Sequence, residues 1–371
     1  MIGRLLAAEG MVILSTPLPA CMMIGDMRIL VLGGTRFVGR VFVEEALAQG
    51  HQVTTFNRGQ TGHDVPGVEA VRGDRENRSD LPSLVQGREW DWVVDTSGYV
   101  PQIVGNAARL LSGRASAYVF LSTISVYPGW PAEQVNEDSD VYDCPPDAPG
   151  TAEDEANWSA AQYGAYKAGC ERAVQEAFEG TVTVLRPGVI LGPQENVGRL
   201  TWWLRRIAQG GRVLAPSQPT KSIQPVDIRD LSAFTLRCLQ HRTTGVFNVT
   251  APQGHATFGS MLDACRKVTG SQAEFTWVDD SFLVEHDVRQ WTEIPLWRTP
   301  EGTWAVDSTK ATAVGLTCRA IADTVRDTHT WLKESGGPSA YDRQSHHGLL
   351  REREDELLKI WDRRYSRDIV P

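Results

Sequence analysis

The stretch Met27–Arg58, MRILVLGGTRFVGRVFVEEALAQGHQVTTFNR, is the part of the chain that predicts its fold. It begins with Arg28–Leu32, a run of branched apolar residues that is typical of a strand buried on both faces of a parallel sheet. After a glycine turn, the apolar residues from Phe37 to Ala48 recur at helical spacing, and Gly50 follows as a helix stop. A second strand is expected from His51 to Phe56. Such a unit presents free backbone N–H groups and the positive end of a helix dipole to a dinucleotide pyrophosphate.

The glycine turn departs from the usual spacing. It reads Gly33-x-x-Arg36-x-x-Gly39, so an arginine stands where a middle glycine is common. In one interpretation this is a tight turn of another kind of α/β protein, and Arg36 is a surface charge. In the other, Arg36 sets a fixed positive charge beside a bound phosphate. The cofactor-binding residues then expected at this turn are Gly33, Thr35, Arg36, Phe37, Val38 and Gly39, with Arg36 as a candidate partner of a cofactor phosphate.

The ends of the following strands bear on which nicotinamide cofactor is bound. An enzyme that prefers NAD commonly has Asp or Glu after the second strand, as an acceptor for the ribose 2′-hydroxyl, whereas this chain has Asn57 and Arg58. A guanidinium can pair with a 2′-phosphate, so we expect NADP(H), with NAD as the alternative. Asp74, after the third strand, is either an adenine partner or a turn residue. Thr96 and Ser97, which follow the fourth strand, would let the cofactor ribose approach the backbone closely.

Composition narrows the class of protein. The 371 residues carry a net charge of −9, which argues against a general nucleic-acid surface. The six cysteines form no C-x-x-C pair and indicate neither a zinc site nor a disulfide framework, so we expect reduced thiols and a cytoplasmic protein. No metal site is expected, since His346 and His347 are adjacent histidines in a linker. No segment approaches the ~18 apolar residues of a membrane span, so no membrane partner is expected.

The order of the predicted elements indicates an α/β protein with a Rossmann-type doubly wound parallel sheet and a smaller C-terminal α/β lobe. Residues 1–26 are expected to be a disordered extension, because the first strand begins just after them. Residues 27–187 form the predicted dinucleotide-binding domain, to which 223–250 returns. The interleaved range 188–334 is the predicted substrate-binding lobe, and 335–371 comprises a linker and a charged helix.

The fifth predicted strand, Ala117 to Tyr127, is apolar until it reaches a cluster of hydroxyl residues at its C-terminal end. Thr123 belongs to this cluster. Ligands bind at that end of the strands in open parallel sheets. The loop that follows, from Pro128 to Glu155, is either a substrate lid or a solvated surface insertion.

The next long helix carries Tyr163 and Lys167, which share a face because they are four residues apart. A phenol is a poor base at neutral pH, and a nearby ammonium favours its ionised form. We therefore expect Thr123 to hold a substrate oxygen while Tyr163 exchanges a proton with it and hydride moves between the substrate carbon and the nicotinamide. Tyr166 is a competing phenol, but its position beside Lys167 predicts that it faces the core or the lid.

With the glycine turn, Asn57 and Arg58, these residues make the chain similar to the extended short-chain dehydrogenase/reductases, the NAD-dependent epimerase/dehydratase family. Its Gly-Gly-Thr-Arg-Phe-Val-Gly turn resembles that of one branch. The resemblance covers about 27 to 335 and implies a Rossmann domain with a C-terminal substrate lobe, and a possible homodimer. It also implies Thr123, Tyr163 and Lys167 as the catalytic group, with Tyr163 and Lys167 also among the cofactor-binding residues and Lys167 as a donor to the nicotinamide ribose. Pro187, in the segment Arg186-Pro-Gly, is included among the cofactor-binding residues.

Two departures from the family pattern bear on the reaction. Ile124 and Ser125 stand where sugar-nucleotide dehydratases have an Asp-Glu pair, so dehydration is disfavoured. The segment from Pro216 to Pro225 lacks the Gly-Asp-Gly and arginine expected for a nucleotide diphosphate.

The sequence is compatible with three functions. The first is an NADP(H)-dependent oxidoreductase that interconverts a ketone and an alcohol on a small or medium-sized metabolite. The second is a nucleotide-sugar epimerase that keeps its NAD(P) tightly bound. The third is a non-catalytic protein that senses NADP or associates with RNA.

Overall fold

The centre of the fold is a seven-stranded sheet in which all neighbouring strands are parallel. The computed structural model describes residues 26–151, 158–336 and 348–367. The strands of these ranges are β1 (Arg28–Leu32), β2 (Gln52–Asn57), β3 (Glu69–Arg72), β4 (Trp92–Asp95), β5 (Ala117–Leu121), β6 (Thr181–Pro187), β7 (Ile190–Leu191), β8 (Arg212–Pro216), β9 (Ser222–Ile223), β10 (Val226–Asp227), β11 (Gly245–Val249), β12 (Ala256–Thr257) and β13 (Glu274–Val278). The helices are α1 (Phe37–Ala48), α2 (Pro101–Leu111), α3 (Ala160–Ala177), α4 (Arg199–Ala208), α5 (Ile228–Gln240), α6 (Phe258–Thr269), α7 (Asp280–Glu285), α8 (Thr309–Ala313), α9 (Ile321–Ser335) and α10 (Arg351–Arg367).

The order of the strands creates one reversal in the sheet. Across the sheet they run β11-β6-β5-β4-β1-β2-β3, so the chain moves outward from β1 to β3 and then returns to the other side of β1 at β4. A crevice opens at such a reversal, at the carboxyl ends of the strands, because the two connections leave in opposite directions. The predicted fold class, a Rossmann-type doubly wound sheet with a smaller lobe, is confirmed.

The first strand is buried on both faces, as its sequence predicts. Ile29 and Val31 pack on one side with apolar residues of α1 and α5, while Leu30 and Leu32 pack on the other with residues of α2 and α3. Side chains of a strand alternate between faces, so a continuous apolar run suits a strand covered by helices on both sides. The bounds of β1 and α1 agree with the sequence prediction.

The fifth strand is shorter than predicted. It ends at Leu121, and a 3-10 turn occupies Ile124–Val126. The Thr123 side chain accepts a hydrogen bond from the Ser125 N–H at 3.1 Å, which starts this turn and stops the strand. The hydroxyl cluster therefore lies on a tight turn beyond the sheet edge.

The predicted return of 223–250 to the main sheet occurs only at its end, where β11 pairs with β6. Before that, β9 pairs with β12 and β10 pairs with β7 in separate two-stranded sheets. Pro225 lies between β9 and β10 and lacks a backbone donor, and Asp227 accepts the Arg229 N–H at 2.9 Å to begin α5. The division of the chain at residue 188 stays a prediction.

A second apolar core lies in the C-terminal half. Trp203 and Trp297 are buried in it, among residues of α4, α6, β8 and β13. Helix α10, predicted only as a charged helix, contributes Leu357 and Leu358 to this core. The buried Glu354 of α10 pairs with Arg206 of α4 at 2.6 Å. The charged helix is thus docked by one apolar face and one buried ion pair.

Some predictions fall outside the described residues. These concern the N-terminal extension up to residue 25, the loop at 152–157, and residues 337–347 of the linker with His346 and His347. Among the described residues, no helix is long and apolar enough to cross a membrane. The same part of the chain contains no cluster of His, Cys, Asp and Glu suited to a metal ion.

We expect Glu354→Ala to lower the free energy of unfolding by ~3–5 kcal/mol, because it leaves the Arg206 guanidinium buried without its carboxylate. The same substitution removes the Glu354 carboxylate oxygen that accepts a hydrogen bond from the Leu214 N–H at 2.9 Å. Glu356→Ala is the matched control on the same helix, where the side chain is exposed and the change should stay within ~1 kcal/mol. Urea unfolding measures both, and equal losses would contradict a structural role for the buried pair.

Candidate functional site

A cleft of about 440 Å³ lies at the carboxyl ends of β1, β2 and β4. It brings together most of the predicted cofactor residues, namely Gly33, Thr35, Arg36, Phe37, Val38, Gly39, Asn57, Arg58, Asp74, Thr96 and Ser97. Lining residues that sequence reasoning missed include Gln60, Thr61, Arg75, Glu76, Tyr99 and Asn196. Thr123, Tyr163, Lys167 and Pro187 do not line this cleft. Pro187 is buried at the end of β6.

The glycine turn packs so closely that side chains are excluded at two positions. Gly33 has a φ of 110°, and a Cβ there would lie 2.6 Å from the Thr96 hydroxyl oxygen. A Cβ at Gly39 would lie 2.8 Å from the Gly34 nitrogen. Arg36, by contrast, has an extended backbone with φ −135° and directly precedes α1. An extended conformation needs no glycine, which explains how an arginine can occupy this position.

The floor of the cleft contains a buried ion pair that the sequence did not reveal. Arg75 binds Asp95 with two hydrogen bonds of 2.8 Å, and the Tyr118 hydroxyl donates to the same carboxylate at 2.8 Å. Burial acts to raise the pKa of Asp95, but the charge and hydrogen bonds of Arg75 outweigh it and hold that pKa below its ordinary value. Burial and the neighbouring Asp95 raise the pKa of Tyr118. The positive charge of Arg75 is therefore neutralised within the protein.

The outer end of the cleft carries Arg58, Asp74 and Asn57. Arg58 is 44% exposed and lies 3.9 Å from the Asp74 carboxylate. Asp74 also accepts the Glu76 N–H at 3.0 Å, which is the turn geometry that the sequence left as one alternative. Asn57 donates to the Gly33 carbonyl at 3.3 Å and so ties the end of β2 to the glycine turn.

Lys167 connects the cleft to the end of β5. Its ammonium is buried and donates to the carbonyls of Gly98 at 2.8 Å and Leu121 at 2.6 Å. It also lies 4.3 Å from the centre of the Phe120 ring. Burial lowers the pKa of Lys167. One side chain of α3 therefore holds the loop after β4 and the strand that leads to Thr123.

Tyr163 lies one helical turn before Lys167 and is partly exposed. The next residue, Gly164, packs directly on the turn after Thr123, since a Cβ there would lie 2.0 Å from the Ser125 carbonyl oxygen. This contact brings the start of α3 against the hydroxyl cluster. Tyr166 instead donates to the Pro149 carbonyl at 2.9 Å and faces the loop, which agrees with the predicted orientation.

A second buried network, also missed, extends from the same face of α3. Glu171 accepts two hydrogen bonds from Arg186, at 2.9 and 2.6 Å, and one from Ser122. Arg186 also donates to the Tyr127 hydroxyl at 2.8 Å, which in turn donates to Asn248 at 2.7 Å. One feature of the sequence could have indicated this network, because Glu171 follows Lys167 by one helical turn on an otherwise apolar face.

Comparison with known proteins agrees with this architecture. A model described as the NAD dependent epimerase/dehydratase family matches residues 29–250. A curated relative, the chloroplast stem-loop binding protein of 41 kDa b from Arabidopsis thaliana, is 24% identical over 261 residues, or 66% of this chain. The matched region spans 64% of that relative's length.

Solved structures share the fold at low identity. The Bordetella bronchiseptica enzyme WbmG, in complex with NAD and UDP, has a TM-score of 0.63 and 20% identity, with 84% of this chain and 97% of WbmG covered. UDP-glucuronic acid 4-epimerase from Bacillus cereus, in complex with NAD, has a TM-score of 0.60 and 17% identity, with 84% and 100% covered.

Substitution at Gly164 tests the close contact between α3 and the turn after Thr123. We expect Gly164→Ala to cost ~1–3 kcal/mol of unfolding free energy, because the new Cβ cannot be accommodated beside the Ser125 carbonyl. Gly105→Ala in α2 is the control, since its Cβ would make an ordinary contact of 3.5 Å with Ala173 and should be neutral or stabilise by up to ~1 kcal/mol. Thermal and urea unfolding measure both variants. A neutral Gly164→Ala would refute the close contact.

Proposed function

The chain belongs to the NAD-dependent epimerase/dehydratase family, and from this premise we propose that it is an NADP(H)-dependent oxidoreductase that interconverts a carbonyl and an alcohol on a small or medium-sized metabolite. At the coarser level, it is an NAD(P)-dependent oxidoreductase or epimerase. The observation that carries the proposal is the buried Lys167 ammonium, held by the carbonyls of Gly98 and Leu121. It joins the loop that borders the cleft to the strand that precedes Thr123.

The residues of the cleft fit a dinucleotide. A Cβ at Gly33 or Gly39 would collide with Thr96, so glycine is needed for the turn to pack closely at the start of α1, where backbone N–H groups favour a pyrophosphate. In our proposal, Arg36 and Arg58 hold a 2′-phosphate, and Asp74 contacts the adenine. Thr96 and Ser97 border the ribose. Thr35, Phe37 and Val38 complete the glycine turn, and Asn57 supports that turn. Pro187 shapes the end of β6. When bound, the cofactor supplies or accepts the hydride.

In this proposal, three side chains take part in the proton transfer. Lys167 uses two of its three N–H groups on backbone carbonyls, so the third is left for a ligand. Thr123 positions the substrate oxygen through its hydroxyl. Tyr163 then gives a proton to that oxygen during reduction and removes it during oxidation. The lowered pKa of Lys167 reflects burial, which also keeps the group out of water.

Two other functions have specific support. A nucleotide-sugar epimerase is favoured by fold relatives whose descriptions name NAD with UDP or UDP-sugars. Net consumption of NADPH over many turnovers separates the two, because an epimerase returns its hydride to the substrate. Association with RNA has support from the Arabidopsis relative, whose name describes a stem-loop binding protein, and is opposed by the net charge of −9.

We expect Tyr163→Phe to lower turnover at least ~100-fold if the phenol is the acid/base. Tyr166→Phe is the matched control, since its hydroxyl donates to the loop carbonyl of Pro149 and turnover should remain within a few-fold. The measurement is NADPH oxidation with a panel of ketones and aldehydes, with NADPH binding determined separately. Unchanged turnover in Tyr163→Phe would remove the phenol from the mechanism.

Cofactor preference provides an independent test. We expect NADPH to bind more tightly than NADH, and Arg58→Ala to weaken NADPH ~10-fold while leaving NADH unchanged, because only NADPH carries the 2′-phosphate. Arg88→Ala is the control, since Arg88 pairs with Glu69 and does not line the cleft. Fluorescence titration with each cofactor measures the affinities. Tighter binding of NADH by the unaltered protein would overturn the NADP(H) assignment.

A further inference from the structure

One residue of the cofactor cleft comes from a distant part of the chain. Of the described residues that line the cleft, all but Asn196 lie between Leu32 and Tyr99. Asn196 belongs to residues 192–198, which lead from β7 to α4 and which we call the bridging segment. Helix α4 packs in the second apolar core. The bridging segment therefore connects the cleft with the C-terminal half of the protein.

A buried carboxylate fixes the bridging segment to α4. Glu195 is fully buried, and its two oxygens accept the backbone N–H groups of Arg199 and Leu200 at 3.0 and 3.1 Å. It also lies 3.7 Å from the Arg199 guanidinium. The first N–H groups of a helix have no acceptor within the helix, and the helix dipole favours a negative charge beside them. Glu195 thus fastens the residue directly before Asn196 to the start of α4.

A second contact fastens the bridging segment to α1. The Gln194 amide donates a hydrogen bond of 3.0 Å to the Glu44 carboxylate, which lies 150 positions earlier in the chain. Glu44 also pairs with Arg40 at 2.9 Å, one helical turn before it. Helix α1 begins at Phe37, directly after Arg36, and both of these residues line the cleft. The segment is therefore attached to the helix whose start borders the cofactor cleft.

Asn196 directly follows the two attached residues and is half-buried where it borders the cleft. Its side-chain amide carries two N–H donors and a carbonyl acceptor. Its N–H groups can bind phosphate oxygens, as the backbone N–H groups at the start of a helix do. The chain thus brings an additional hydrogen-bond donor to the cleft from outside the β1–α1–β2 unit.

A donor that approaches a bound cofactor from another part of the chain must separate from it before the cofactor leaves. Contacts of this kind act mainly on the dissociation rate. Release of a cofactor or product limits the turnover of many enzymes. The attachment of the bridging segment to α1 is therefore expected to influence how long a cofactor stays bound.

We propose that Asn196 binds the cofactor pyrophosphate and that the hydrogen bond from Gln194 to Glu44 holds it there, so that the bridging segment controls cofactor exchange. This inference rests on the proposed function. An oxidoreductase must exchange its cofactor after each turnover, whereas an epimerase keeps it bound. In the proposed reaction, separation of Gln194 from Glu44 precedes each exchange and sets an upper limit on steady-state turnover.

The test measures the dissociation rate of NADPH from the full chain. Protein loaded with NADPH is mixed rapidly with excess NADP+, and the change in NADPH fluorescence gives the rate. We expect Asn196→Ala to raise this rate ~10-fold, because a hydrogen bond to a charged phosphate is lost. Asn196→Asp should raise it further, since a carboxylate repels the pyrophosphate.

A variant of Gln194 tests the attachment to α1. Gln194→Asn shortens the side chain so that it no longer reaches Glu44, and asparagine tolerates the positive φ of 69° at this position. We expect the dissociation rate of NADPH to rise ~3-fold. Gln49→Ala is the matched control, because it removes an amide–carboxylate hydrogen bond of 2.9 Å to Glu45 on the same helix, and Gln49 does not line the cleft. Its dissociation rate should equal that of the unaltered protein.

A cofactor fragment separates a pyrophosphate contact from a general disturbance of the cleft. Adenosine 2′-monophosphate lacks the pyrophosphate and the nicotinamide, and its affinity is determined by displacement of NADPH. We expect Asn196→Ala and Gln194→Asn to leave this affinity unchanged. A loss of fragment affinity equal to the loss of NADPH affinity would show that the substitutions disturb the whole cleft, and would overturn the inference.

Two further results would overturn the inference while the proposed function stands. One is an unchanged NADPH dissociation rate in Asn196→Ala, and the other is an equal effect of Gln194→Asn and Gln49→Ala. Absence of NADPH binding to the unaltered protein would instead overturn the proposed function, and this inference with it. The two failures are therefore distinguishable.

Discussion

The site depends on one buried charge, the Lys167 ammonium. A lone ammonium in an apolar interior is costly, and here the carbonyls of Gly98 and Leu121 accept its hydrogen bonds while Phe120 faces it. Both carbonyls belong to the carboxyl edge of the sheet, so the lysine fixes the relative position of two neighbouring strand ends. Any movement of α3 would break both hydrogen bonds.

Small residues on α3 make this arrangement possible. A Cβ at Gly164 would lie 2.0 Å from the Ser125 carbonyl, and one at Gly169 would lie 2.7 Å from the Cys144 sulfur and from Pro101. Glycine in a helix interior costs up to ~1 kcal/mol relative to alanine. Glycine is nevertheless needed here, because the helix approaches the turn after Thr123 closely. Two residues after Gly169, the buried pair of Glu171 with Arg186 ties the same helix to β6.

Two arginines of the cofactor cleft lie beside carboxylates. In the cofactor cleft, Arg75 is neutralised by the buried Asp95, and Arg58 is partly balanced by Asp74 at 3.9 Å.

The sequence by itself determined the family, the fold class, the β1–α1–β2 unit and the α3 positions of Tyr163 and Lys167, because these depend on local periodicity and on spacings of a few residues. It could not show that Thr123 ends β5 in a tight turn, or that β9 and β10 form small separate sheets. Only the tertiary structure decided which charges meet. Arg75 and Asp95 are 20 positions apart, and Trp130 and Thr303 are 173 apart. Such contacts arise from the packing of whole elements, and no short pattern encodes them.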